Sequence, residues 1–146
     1  MAFAIEQSIH VGAAPETVWR LLADCGTWRL WWPGLVDAST ADRKPLRDGS
    51  RLRLAVALRG ITFNFKSEVS VATPPRILIW VARSLGVTGQ HAFYLEARPD
   101  GVAVRQIETL QGPGSPLFRL LGFGGATSAM FRANLRGLKR LAERSL

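Results

Sequence analysis

A histidine and a glutamate are the pair in this chain best spaced for acid–base chemistry. His91 and Glu108 flank the tight-turn sequence Pro99-Asp100-Gly101. If Arg98 and Gly101 close a two-residue turn, opposed positions sum to 199. Leu95 then faces Val104, Phe93 faces Gln106, and His91 faces Glu108. Side chains alternate along strands, so all six share one face of the hairpin. That face is the more apolar near the turn and is assigned to the interior. If Ser84–Val87 closes the preceding hairpin, Trp80 lies opposite His91. A carboxylate beside an imidazole in apolar surroundings is either an acid/base pair or a pair that satisfies its own buried polarity.

Other chemistries are poorly served. The chain has two histidines, and the other, His10, falls on the polar side of its own segment, so no metal site is expected. A single cysteine, Cys25, excludes an internal disulfide and a cysteine-based zinc site; it reads as a small buried hydrophobe. No nucleophile elbow and no phosphate-binding glycine loop is present, so no cofactor is expected.

The elements that must hold this pair follow from periodicity. Residues 2–11 alternate as a half-buried strand. Pro15 and Glu16 open a helix with Val18, Leu21 and Leu22 on its apolar face, ended by Gly26. A second short helical piece carries Trp28, Trp31 and Trp32 and stops at Pro33-Gly34. Strands fill the chain to about residue 111. Leu52–Leu58 and Ile61–Val71 flank Gly60. Arg76–Arg83 follows the turn at Thr73-Pro74-Pro75, and Gln90–Arg98 pairs with Val102–Gln111. Ser115-Pro116 starts a helical segment, Gly122–Gly125 interrupts it, and a long helix runs from about Ala126 to Arg144. An antiparallel meander cannot cover its own apolar face, so the terminal helix lies across it in a two-layer α+β domain.

The 146 residues fit one domain, 1–146, with 47% apolar and 21% charged residues. The net charge of +8 is spread over solvated faces, with no basic run interleaved with stacking aromatics. Nucleic acid is therefore not an expected partner. The N-terminus lacks a basic region followed by an apolar core, which points to the cytoplasm.

With these elements in order, the chain resembles the helix-grip fold of the birch-pollen-allergen-like superfamily. That group includes the START, SRPBCC and polyketide cyclase/dehydrase families. The likeness rests on Ile9–Asp24, with its strand, Pro15 and Val18-Trp19; on Trp28–Pro33; and on Gly89–Glu96 with Asp100-Gly101 and Glu108–Gly112. The chain departs from the family pattern at Trp32 and Gly34. The resemblance implies a curved antiparallel sheet of about seven strands wrapped around the C-terminal helix, with a cavity between them and two short helices after strand 1.

It also implies a small hydrophobic ligand, polyketide-, lipid- or aromatic-like. Trp28, Trp32, Phe63, Phe65, Trp80, Phe93, Gln106, Phe118, Phe123, Met130 and Asn134 are expected around it. At i, i+3 and i+4 of a helix the three tryptophans share a face. Trp28 and Trp32 are then expected to line or lid the cavity, with Trp31 nearer its rim; plugging the core is the alternative. Leu85–Val87, Phe118–Phe123 and the tryptophan helix are expected at the mouth, with Gly122–Gly125 as a hinge. Three functions remain open: a binding protein, a polyketide cyclase/dehydratase-like enzyme using His91 and Glu108, and a quinone- or lipid-handling protein at a membrane.

Overall fold

The computed structural model describes residues 2–84 and 86–144. Strand β1 (Ala2–Val11) leads into helix α1 (Pro15–Ala23) and a 3-10 helix, α2 (Cys25–Leu30). Six strands follow: β2 (Leu35–Thr40), β3 (Arg51–Leu58), β4 (Ile61–Thr73), β5 (Ile77–Ser84), β6 (Val87–Arg98) and β7 (Gly101–Gln111). Helices α3 (Ser115–Leu120) and α4 (Phe123–Arg144) complete the chain. The strands form one antiparallel sheet in the order β1-β7-β6-β5-β4-β3-β2, and α4 lies across it as the helix-grip arrangement requires.

The register is the one the turn dictates. Arg98 pairs with Gly101, His91 with Glu108 and Phe93 with Gln106, while Trp80 on β5 pairs with His91. Opposed residues on neighbouring strands share a face, so the sheet presents transverse rows to α4. One row reads Val69–Trp80–His91–Glu108–Ile5. The row on one side reads Leu78–Phe93–Gln106–Gln7. The row on the other side reads Leu52–Ser67–Ala82–Gly89–Leu110–Phe3.

The interior is correspondingly divided. Val11, Val18, Leu22, Leu78, Phe93, Val102, Leu135 and Leu138 belong to one fully packed cluster. Ile5, Leu110 and Phe131 form a smaller one toward the other end of α4. The helix boundaries differ from the sequence expectation in two places. Asp24 ends α1 ahead of Gly26, because its side chain accepts from Gly26 N–H and opens the 3-10 turn. Helix α4 starts at Phe123, so Gly124 and Gly125 lie in its first turn, where a break was expected. Phe123 anchors that turn by burying its ring.

At Gly137, helix α4 passes close against the backbone of Trp31, the residue that follows α2. A Cβ there would stand 2.5 Å from Trp31 O and 3.0 Å from Trp31 Cα. Alanine raises helix propensity by about 1 kcal/mol, but overpacking against backbone costs about 1–3 kcal/mol. Steric cost wins because a carbonyl cannot rotate aside like a side chain. Gly137→Ala is therefore expected to lower the unfolding midpoint by roughly 5 °C. A rise in midpoint would show that the tryptophan segment retreats freely.

The C-terminal end of α4 is tied to the β1–α1 loop. Glu143 Oε2 accepts from Gly12 N–H at 2.8 Å and from the Lys139 ammonium at 2.6 Å. The Lys139 hydrogen bond, then that from Gly12, holds the Glu143 carboxyl below its ordinary value of 4.5. A depressed carboxyl stabilises the fold above its unfolded value and loses that contribution as pH falls through the folded one. Glu143→Gln is expected to flatten the acid side of the stability profile below about pH 4.5. An unchanged acid limb in thermal melts would assign that loss to other groups.

Candidate functional site

Between the sheet and the N-terminal half of α4 lies a cavity of about 410 Å³. It exists because one row of the sheet carries little bulk. Ser67, Ala82 and Gly89 stand side by side on β4, β5 and β6, and all three line it. Phe63, Phe65 and Trp80 form further walls, with Trp32 at one end. Phe118, Phe123, Thr127, Met130 and Phe131 close the helical side. The volume lies within the roughly 300–1,000 Å³ typical of small-molecule sites.

Apart from the Ser67 and Thr127 hydroxyls, the cavity is apolar except where the His91 row meets it. His91 Nδ1 stands 2.7 Å from Glu108 Oε2, and His91 Nε2 stands 3.0 Å from Gln106 Nε2. With Nδ1–H donated to the carboxylate, Nε2 accepts from the Gln106 amide. The imidazole is parallel to the Trp80 indole, with centroids 4.5 Å apart and 1° between planes. Phe93 and Phe131 contact it at 5.2 Å each, and Trp32 stacks at 6.0 Å. The ring thus has its plane and both nitrogens fixed.

Glu108 is the more accessible partner, its side chain 20% exposed against 8% for His91. A Cβ on Gly89 would meet Glu108 Oε1 at 2.7 Å, so glycine at that position gives the carboxylate its space. The atom presented to a cavity occupant is therefore a carboxylate oxygen, with the imidazole and the Gln106 amide in line behind it. Such a relay can orient a ligand hydroxyl or move a proton to or from it. Among the described residues no three His, Cys, Asp or Glu side chains converge as a metal site would need.

Four expected lining residues lie elsewhere. Phe93 and Gln106 are on the next row, fully buried behind His91. Asn134 is one turn beyond Met130 and Phe131 on α4 and is also fully buried; neither of its amide atoms has a partner among the described residues. Trp28 is fully buried and stacked on Trp80 at 5.2 Å, on the core side of the wall. Trp31 is 1% exposed and packs edge-on against Phe93, so it is a core residue and not part of a rim. The α-helical spacing argument fails because α2 is 3-10 and Trp31 leaves it at φ −132°. The three indoles still touch one another, but as a cluster running into the core, with Trp31 edge-on to Trp28 and stacked on Trp32. Only Trp32 reaches the cavity, its Nε1–H directed at Met130 Sδ at 3.4 Å.

At the mouth, Gly122 turns the chain between α3 and α4 at φ +79°, and Arg59 donates to Leu121 O at 3.0 Å beside it. Leu85 lies outside the described residues, while Val87 lines the cavity. Gly34 has φ +87°, and a Cβ there would stand 3.0 Å from Ala57 O, so the position favours glycine. Cys25 is half-buried, and burial, with Asp24 beside it, pushes its thiol pKa up. Ser67, Ala82 and Gly89, like Thr127 and Phe131 on α4, are among the lining residues sequence reasoning missed; the signal of the first three was small size at paired strand positions.

The sequence matches the model of the family described as polyketide cyclase / dehydrase and lipid transport over residues 2–143. The chain belongs to that family. No curated protein matches it significantly. Among solved structures it is similar to the Zhui aromatase/cyclase from Streptomyces sp. R1128. That pair has a TM-score of 0.81 at 15% identity, covering 99% of this chain and 95% of that one. The di-domain ARO/CYC StfQ of the steffimycin pathway gives 0.81 at 16%, covering 99% of this chain and 52% of that one. The di-domain ARO/CYC BexL of the BE-7585A pathway gives 0.78 at 18%, with 97% and 50% covered. This polyketide cyclase/dehydrase-family chain thus spans about half of each di-domain protein. At such identities the likeness establishes the helix-grip fold. Among the described residues no helix is long and apolar enough to cross a membrane.

Proposed function

We propose that this protein binds a small, largely apolar, ring-containing molecule in the cavity, with one polar group of the ligand set against Glu108. The observation that carries the reading is the distribution of polarity: a largely apolar chamber, polar elsewhere at Ser67 and Thr127, with a single carboxylate–imidazole–amide relay at one end. Flat aromatic walls at Trp32, Trp80 and Phe131 suit a ring system, and the carboxylate suits a ligand hydroxyl. Membership in a family that covers both cyclases and lipid carriers supports this class of ligand.

A cyclase/dehydratase-like activity is the second reading, favoured by the fixed His91 ring. Glu108 would exchange the proton and His91 would hold and polarise it. Titration with a naphthol probe tests the binding reading. Quenching of tryptophan emission is expected, because Trp32 and Trp80 line the chamber. Unchanged emission together with no shift in the unfolding midpoint would sink it.

A further inference from the structure

The rim of the cavity carries a second feature. Leu117, Leu121 and Ile61 line the chamber yet are 58%, 52% and 50% exposed, and Leu120 beside them is 82% exposed. They come from α3, its C-terminal turn and the start of β4, so the chamber opens through an apolar collar. Soluble proteins scatter exposed leucines singly; a cluster around an opening marks a contact surface. The charges around it have one sign. Arg59 sits at the β3–β4 turn and Arg119 between the leucines, both exposed. No Asp or Glu occurs from residue 49 to 67 or from 109 to 142. Glu108, at the edge of the second stretch, is turned into the cavity.

We propose that this collar docks on an anionic lipid bilayer, with Leu117, Leu120 and Leu121 entering the headgroup–acyl boundary and Arg59 and Arg119 meeting lipid phosphates. Apolar side chains backed by arginine are the composition of an interfacial anchor. Between Pro116 and Ala126 no side chain can accept a hydrogen bond, whereas a protein partner is met by a polar rim. Both arginines are already oriented: Arg59 donates to Leu121 O, and the Arg119 guanidinium stands 5.7 Å over the Phe3 ring. Docked in this way, the chamber exchanges an apolar ligand with the membrane without passing it through water.

Docking is measured independently of cavity chemistry. The protein is floated with phosphatidylcholine vesicles, with and without phosphatidylserine, at low and high salt. Flotation is expected with anionic vesicles at low salt and is expected to fade with salt or with phosphatidylcholine alone. Leu120→Glu should weaken partitioning at least about tenfold, and Arg119→Gln about fivefold. Leu120 is too exposed for its replacement to unfold the chain, and naphthol binding should persist in both variants. No flotation at low salt overturns the proposal, as does flotation that Leu120→Glu leaves intact. Capture by immobilised polyglutamate without flotation would assign the face to an acidic protein instead. Loss of naphthol binding in the parent protein, with flotation retained, would remove the cavity reading and leave the docking one.

Discussion

Ala82→Phe is expected to cost a bound ring compound at least about tenfold in affinity while leaving the unfolding midpoint unchanged or raised. The reasoning starts from the row Ser67–Ala82–Gly89, where three adjacent strands present almost no bulk to α4. Ala82 is the central member and lines the chamber. A phenyl group there enters space the fold leaves open, so it removes apolar surface from water without displacing a packed neighbour. Burying such a side chain contributes about 1.5–3 kcal/mol, reduced by its lost rotamer freedom. Ligand loss and stability therefore move in opposite directions, which general misfolding cannot imitate. Isothermal titration with naphthol and a thermal melt on the same sample read both. Affinity within twofold of the parent would place the ligand outside this chamber.

The same row shows how much of the molecule could be read from its sequence. The His91–Glu108 and Phe93–Gln106 pairings were legible because a two-residue turn fixes the register of a whole hairpin. The Trp80–His91 pairing was legible for the same reason. The two-layer arrangement was legible because an apolar sheet face needs the terminal helix to cover it; the helix-grip form of it was implied by the family resemblance.

Emptiness was not legible. It depends on three strands aligning their small residues, and the β4–β5 register shifts between Val69 and Val71 in a way alternation cannot show. Depth along α4 was not legible either. Met130 and Phe131 meet the cavity while Asn134, one turn on, meets only the core. For the tryptophans, the local bonding of Asp24 and Thr27 set a 3-10 turn, and the 3.6-residue wheel misplaced Trp31.

The pair at the chamber's polar end should show itself in a double-mutant cycle. His91→Ala leaves Gln106 Nε2 without a partner in a fully buried site and strips Glu108 Oε2 of its donor. It also opens a gap between Trp80 and Phe131. Removing one member of a buried pair costs about 3–5 kcal/mol. Glu108 retains access to the cavity, which lowers the expected loss to about 2–3 kcal/mol.

Glu108→Gln is milder, near 1 kcal/mol, because the amide oxygen can still accept from Nδ1–H. In the double variant much of the His91 penalty should remain, since Gln106 stays unpaired either way, with a coupling of about 1 kcal/mol between the two sites. Chemical denaturation of the four proteins measures this, and strict additivity would mean that the carboxylate's charge adds nothing to the 2.7 Å contact. Turnover separates the two functions. A proton-transferring carboxylate makes Glu108→Gln about 10²–10⁴-fold slower on a polyketide-like substrate while naphthol affinity stays within about tenfold. A pure carrier loses only that modest affinity, and Gly89→Ala, which crowds Oε1 without removing its charge, should then reproduce the loss.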